Sequence, residues 1–300
     1  MKQMKKLLIV LSIIGFMFAE GKIGGVTYFD YSYTEESSAF NFERQYFGYG
    51  GDISDKVSYK ILFDVGRTEL DTRLNVYLKK AQVNYKSSLG KVNFGLIGMN
   101  TYAVQESNWG YRFIEKSTID KNGFSSTADL GVGFSKSIID NLNLSFQIVN
   151  GEGFKKPQGD KYHKIAFNAT YGESNLIKND GYNAGLVYTT EQTDTDPITM
   201  TSIFGGFAGM GLRLGVEYDM LTKGDTESSI ISVSANYGVI DNIDAYVRYD
   251  IWDDNDSVNK NGKNYLIAGI LFNCDNGLSL APNMRIESCF RYHYLTTIEL

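Results

Sequence analysis

Residues able to do acid–base or nucleophilic chemistry are scarce in this chain. It contains only two histidines, His163 and His293. A serine hydrolase needs a histidine beside a serine. His163 is followed by Lys164 and Ile165, and His293 by Tyr294 and Leu295, with no hydroxyl two residues on in either case. No cysteine or histidine spacing resembles a zinc site, and no glycine-rich phosphate loop occurs. The run Asp253, Asp254, Asn255, Asp256 has oxygen ligands for Ca²⁺. Counted from Asp254, however, the sixth position is Asn259 rather than glycine and no distal glutamate follows, so the run reads as a hydrophilic loop. Asp194 and Asp196, before Pro197, read the same way. Catalytic residues, a resident metal and a cofactor are all expected to be absent.

What remains is charge held in loops. The segment Asn100–Gly123 carries Glu106, Tyr111, Arg112, Glu115, Lys116, Asp120 and Lys121. It is long for a connection without regular structure, and such connections usually serve function. Opposed acids and bases across a narrow aqueous space create a transverse field that orders water and favours polar solutes. Glu106, Tyr111, Arg112, Glu115 and Lys116 are therefore the candidate constriction residues. The competing expectation is a loop lying over a pore mouth or against a neighbouring subunit. A second cluster, Lys155, Lys156, Lys161, His163 and Lys164, offers a cationic vestibule. Flanking Glu152 and Asp160 dilute it, and a solvated loop near lipid phosphates is the expected role.

The elements that must position these groups announce themselves by alternation with period two. Val57, Tyr59, Ile61, Phe63 and Val65 alternate with Ser58, Lys60, Leu62, Asp64 and Gly66. Leu212, Leu214, Val216 and Tyr218 alternate with Arg213, Gly215, Glu217 and Asp219. Ile243, Ala245, Val247, Tyr249 and Ile251 alternate with Asp244, Tyr246, Arg248 and Asp250. One apolar face and one polar face, with lipid outside and water inside, is the signature of a transmembrane β-barrel. Lys60, Asp64, Arg213, Glu217, Asp244 and Arg248 are accordingly expected to line the lumen. Short connections such as Asp52–Lys56, Ala208–Gly211 and Gly238–Asn242 alternate with longer ones such as Asn150–Asp160 and Trp252–Gly262, the asymmetry of periplasmic turns and outer loops.

The pattern predicts about sixteen antiparallel strands, with fourteen or eighteen as alternatives. Parity is ambiguous at Arg44, Lys79–Lys80, Ile203 and Leu266, where bulges are expected. Trp109, Trp252 and tyrosines including Tyr28, Tyr31, Tyr33, Tyr46, Tyr49, Tyr218 and Tyr249 are expected to form interfacial girdles.

The beginning of the chain sets the compartment. Lys2, Lys5 and Lys6 precede an apolar stretch, Leu7 to Phe18, and then Ala19. This is the plan of a secretory signal peptide, residues 1–19 with cleavage after Ala19, leaving residues 20–300 as the barrel. No later stretch is apolar for long enough to make a membrane-spanning helix. Aromatic residues are 14%, with 31 glycines and only 3 prolines, a balance suited to strands that meet an apolar solvent. The net charge is −6, and loss of the lysine-bearing leader makes the remainder more acidic, which argues against nucleic acid as a partner. Cys274 and Cys289 lie on either side of a predicted strand, too far apart to bridge, so two free thiols are expected.

The run Phe42–Gly66, FERQYFGYGGDISDKVSYKILFDVG, resembles the second hairpin of the phosphate-selective porins, the porin O and P family. Trp109–Phe134, WGYRFIEKSTIDKNGFSSTADLGVGF, resembles that family's third loop and the following strand. Val149–Pro157, VNGEGFKKP, resembles its next outer loop. The match extends over roughly residues 22–172 and is loose beyond. The resemblance implies a sixteen-stranded outer-membrane barrel of a Gram-negative type, a homotrimer among outer-membrane lipids, with loop 3 folded into the lumen. It also implies passive diffusion of small hydrophilic solutes and ions.

Phosphate selectivity needs rows of arginine and lysine. The expected lumen mixes signs instead, Arg213 with Glu217 and Arg248 with Asp244, so a general diffusion porin is expected. A substrate-specific anion or nutrient channel and a plugged structural barrel are the alternatives. Outer-membrane barrels usually finish on an alternating aromatic strand with a terminal Phe, whereas the last residue here is Leu300.

Overall fold

The computed structural model describes residues 21–68, 71–258, 262–274, 277–289 and 293–299. The leader and Leu300 lie outside the described residues, as does the loop stretch 290–292 before the last strand. Seventeen strands form one sheet. They are β1 Gly21–Tyr33, β2 Ser38–Asp52, β3 Val57–Thr68, β4 Asp71–Ser87, β5 Gly90–Gly98, β6 Ala128–Ile139, β7 Leu142–Val149, β8 Lys164–Gly172 and β9 Gly181–Glu191. They continue with β10 Ile198–Gly209, β11 Leu212–Lys223, β12 Thr226–Ile240, β13 Ile243–Asp253, β14 Lys263–Asn273, β15 Ser279–Leu280, β16 Asn283–Cys289 and β17 His293–Glu299. Apart from β15 and β16, each strand pairs antiparallel with its sequence neighbour. β15 and β16 both pair with β14 and occupy one place in the wall, so the circuit has sixteen places. It returns to β1 through Ser32 opposite Glu299 and Tyr33 opposite Ile298.

Alternation builds this wall. Leu130, Val132, Phe134, Phe146, Ile148, Val216, Tyr218, Val233, Val247 and Tyr249 all stand exposed on the outer face. In water that belt would be an aggregation surface; in a bilayer it is the required contact with hydrocarbon. Two-residue hairpins close several turns. Asn141 and Asn242 take positive φ there, a conformation asparagine tolerates and hairpin twist favours. Met210 adopts the same left-handed conformation beside Gly211, a strained choice for a side chain of that size.

Bulges occur at two of the four expected places. Register shifts where β1 meets Arg44 of β2, and where β3 meets Lys79 of β4. Pairing runs uninterrupted through Ile203 and Leu266. Two of the outer connections are shorter than the long–short pattern suggests. Only residues 34–37 join β1 to β2 and only 224–225 join β11 to β12, while on the opposite rim 173–180 is a longer turn.

The longest connection, residues 99–127, turns into the barrel. It carries two short helices, α1 Ala103–Trp109 and α2 Thr118–Lys121. Gly110 closes α1 in the left-handed conformation. Serine 117 caps α2 by accepting a hydrogen bond from the Asp120 amide.

Candidate pore constriction

Loop 3 stays in the lumen because the inner wall there is apolar. Met99, Tyr102, Ile119 and Phe124 of the loop pack on inward-facing Val149, Ala166, Val187, Met200, Phe204, Leu221 and Ile230. A second cluster joins Trp109, Tyr111 and Ile114 to Tyr246, Ile267 and Leu271. A barrel with a wholly wet interior would carry polar residues at those wall positions. The loop thus fills the side of the lumen formed by β7–β14.

Buried polar contacts fix the packing further. Asn108 and Asn183 exchange two amide hydrogen bonds, at 3.0 and 2.8 Å. Gln105 donates to the Ser202 hydroxyl at 3.1 Å, and Asn236 donates to the Trp109 carbonyl at 2.7 Å.

The candidate constriction residues separate into distinct roles. Arg112 pairs with both Glu106 and Asp120, its Nε and Nη2 each 3.0 Å from a carboxylate oxygen. The Tyr111 hydroxyl donates to Asp244 at 3.1 Å, and the Arg213 guanidinium lies over the Tyr111 ring. Glu115 accepts from the Tyr265 hydroxyl at 2.8 Å and pairs with Lys121 at 3.2 Å and Arg285 at 3.7 Å. Burial opposes its ionisation, but Lys121, Arg248 and Arg285 outweigh that cost and hold its carboxyl at about 2. Burial pushes Glu106 the other way, above the usual carboxylate range, although Arg112 counteracts it. Lys116 lines the cavities on both sides of the loop tip.

The expected lumen-lining residues all face inward, but loop 3 covers several of them. Arg248 is 1% exposed: its Nε and Nη2 grip Asp250 at 2.8 and 2.7 Å, and its Nη1 donates to the Lys116 carbonyl at 2.6 Å. Glu217 is also buried, accepting from Thr118. Arg213 and Asp244 hold Tyr111. These four fasten the loop rather than line open water, because the apolar packing of loop 3 seals that side. Lys60 and Asp64 face the opposite, open side.

There the two bulges matter. Each inserts an extra residue and turns two adjacent ionic side chains inward. Glu43 and Arg44 both border one cavity of about 410 Å³. Lys79 and Lys80 both face the lumen: Lys79 lies 3.5 Å from fully buried Asp64, and the Lys80 ammonium lies beside Gly98. Arg44 and Lys79 both donate to the Tyr46 hydroxyl, at 2.9 and 3.0 Å. A basic wall of Arg44, Lys60, Lys79 and Lys80 thus stands opposite acidic Glu106 and Asp120. Sequence reading flagged Arg44, Lys79 and Lys80 only as parity errors. Two ionic residues in succession inside an alternating strand were the signal available.

Two further expectations are corrected. Trp109, Tyr28 and Tyr46 are inside the barrel, not in an interfacial girdle. Trp109 stacks against Tyr111 and Tyr246, and Tyr28 meets Phe113 of the loop tip across the lumen with ring centroids 6.3 Å apart. Loop packing claims these rings because the loop needs apolar partners within the barrel. Lys155, Lys156 and Lys164 do not simply solvate an outer loop. With Arg44, Lys79, Lys116 and Lys223 they line an outer cavity of about 650 Å³. Lys155 sits over the Tyr77 and Phe154 rings; burial first, then the charges of Arg44 and Lys116, push its ammonium down. Lys161 and His163 are not among that cavity's lining residues. Cys274 carries a free, exposed thiol.

This circuit of antiparallel strands has known counterparts. The Salmonella typhi OmpF complex with daunomycin superposes with a TM-score of 0.72 at 10% identity, covering 94% of this chain and 96% of that one. The fold is that of an outer-membrane porin. The trimer form of the Vibrio cholerae outer-membrane protein OmpT matches with a TM-score of 0.65 at 11% identity, covering 93% and 97%. The anion-selective porin of Comamonas acidovorans matches with a TM-score of 0.64 at 10% identity, covering 93% and 98%. No protein-family description and no curated protein matches the chain. The likeness in fold is thus to general porins, and the phosphate-selective type is not singled out.

Proposed function

We propose that this protein is an outer-membrane porin through which small hydrophilic solutes and ions diffuse passively, narrowed by loop 3. The observation that carries the reading is a lane made of the two cavities beside the loop tip, about 410 and 650 Å³, which share Arg44 and Lys116. It is bordered by Arg112 and Lys116 of the loop and by Arg44 and Lys79 of the wall. Such a lane wets readily, and its opposed charges favour polar solutes over apolar ones. No bound group takes part, since passive flow requires only a wet path.

Cations outnumber acids along this lane and in the outer cavity, which supports a preference for anions. A channel specific for phosphate-like anions is the second reading, favoured by the same outer cavity. Export through the leader, assembly into a homotrimer and contact with outer-membrane lipids complete the proposal, in keeping with the fold. Reconstitution into planar bilayers tests it. Stable open-channel conductance is expected, with a modest anion-favouring reversal potential in a salt gradient. Near-ideal anion selectivity with block by millimolar phosphate would favour the specific channel. No conductance from correctly folded barrels would mark a plugged structural protein instead.

A further inference from the structure

The contact between α2 and β11 has too few hydrogens for its oxygens. The Thr118 hydroxyl lies 2.7 Å from Glu217 Oε1 and 3.1 Å from Asp219 Oδ2. A hydroxyl has one proton to give, so it donates to one carboxylate and can bond the other only by accepting from it. The two acids stand two residues apart on the inner face of one strand. Asp219 is 0% exposed and Glu217 9%. Their remaining oxygens, Glu217 Oε2 and Asp219 Oδ1, are buried with no hydrogen-bond partner.

Among the described residues no cation forms an ion pair with either acid. Arg248 on β13 is the nearest, and it directs Nε and Nη2 to Asp250 and Nη1 to the Lys116 carbonyl. Asp250, also on β13, adds another negative charge to the neighbourhood and accepts from Ser232 of β12 at 2.6 Å. From loop 3, Lys121 is paired with Glu115. From β10 the cross-strand neighbour of Asp219 is Ser202, whose hydroxyl favours the Asp219 anion by hydrogen bonding but brings no charge. Two adjacent buried carboxylates that lack a counter-ion cannot both ionise without a large desolvation and repulsion cost.

We propose that Glu217 and Asp219 share one proton, which lets Thr118 bond both acids and fastens loop 3 to the barrel wall. Removing that proton in alkali leaves two facing anions with one hydroxyl, that of Thr118, to hold α2 to both, so α2 lifts and the lane beside the loop changes width. The shared proton rests on the fold alone; its effect on flow rests on the porin reading.

The decisive experiment follows one proton by two routes in the folded barrel. Infrared difference spectra of the wild-type protein between neutral and alkaline pH are expected to show loss of a protonated-carboxyl C=O band. That band should be missing from a Glu217→Gln/Asp219→Asn variant. Single-channel recordings over the same pH range are expected to show an alkaline step in open-state conductance or flicker, lost in the double variant and insensitive to Ca²⁺ or EDTA. A wild-type spectrum with no protonated carboxyl overturns the shared proton, whether or not the variant folds. A step that follows Ca²⁺ instead of pH overturns it in favour of a bound cation. The same step in the double variant overturns the latch. A barrel that shows the infrared band but never conducts refutes the porin reading and leaves the proton in place.

Discussion

Replacing Arg112 and Lys116 together by alanine should move the channel's selectivity toward cations without unfolding the barrel. Arg112 neutralises two carboxylates at once, with 3.0 Å contacts to Glu106 and Asp120. Its loss removes one positive charge from the lane and uncovers two negative ones. In water a monovalent ion about 5 Å from a unit charge feels about 0.8 kcal/mol. That energy changes the local ion population about fourfold, in opposite directions for cations and anions. The cation-to-anion permeability ratio should therefore rise on the order of tenfold at low salt, and less as screening grows. Reversal potentials across a salt gradient measure the ratio directly, and resistance of the folded barrel to heat in detergent checks integrity. A ratio within twofold of the wild type would remove loop 3 from the pathway. A shift toward anions would reverse the assigned signs.

Four further outcomes follow from the same geometry. Arg248→Met should destabilise the loop–wall contact by about 3–5 kcal/mol, because it strands buried Asp250, whereas Arg248→Met with Asp250→Leu should recover most of that. Trp109 fluorescence during urea unfolding reports it, since the guanidinium lies 5.5 Å from that ring, and a single change costing under about 1 kcal/mol would contradict the account. Acidification should raise anion preference early. Burial lifts the Glu106 carboxyl, so it is the first loop acid to be neutralised as pH falls, and Glu106→Gln should abolish the trend. Glu115 behaves oppositely: its folded value is depressed, so its stabilising pairs are fully present above the unfolded carboxylate range and are lost only as pH falls through about 2. Loop protection from protease should therefore persist at pH values where ordinary carboxylates are already protonated. Phe113→Ala should enlarge single-channel conductance by removing the ring that meets Tyr28 across the lumen; unchanged conductance would place the narrowest point elsewhere.

Alternation alone was enough to determine the architecture. A strand that meets lipid on one side and water or polar contacts on the other must switch character at every residue, so Val57–Val65 and Ile243–Ile251 declared their faces without any tertiary information. A long charged loop was legible too, and its inward path was implied by the resemblance of Trp109–Phe134 to a porin third loop. Parity errors at Arg44 and Lys79–Lys80 were real bulges. Those at Ile203 and Leu266 were not, because β10 and β14 carry apolar side chains on both faces. Outward Ile203 meets lipid while inward Met200 and Phe204 meet loop 3, and inward Ile267 packs beneath Trp109 and Tyr111. A period-two rule presumes a wet interior and fails where protein fills it.

Only the folded chain decided which charges meet. Arg112 finds Glu106 and Asp120 within its own loop, but Arg248 finds the Lys116 carbonyl 132 residues away. Thr118 finds Glu217 and Asp219 at separations of 99 and 101. A strand's pattern fixes the side to which a residue points; the path of one loop through the barrel fixes whether that residue faces water or becomes an anchor. Local sequence records the first because it follows from backbone geometry, and omits the second because it depends on contacts between segments far apart in the chain.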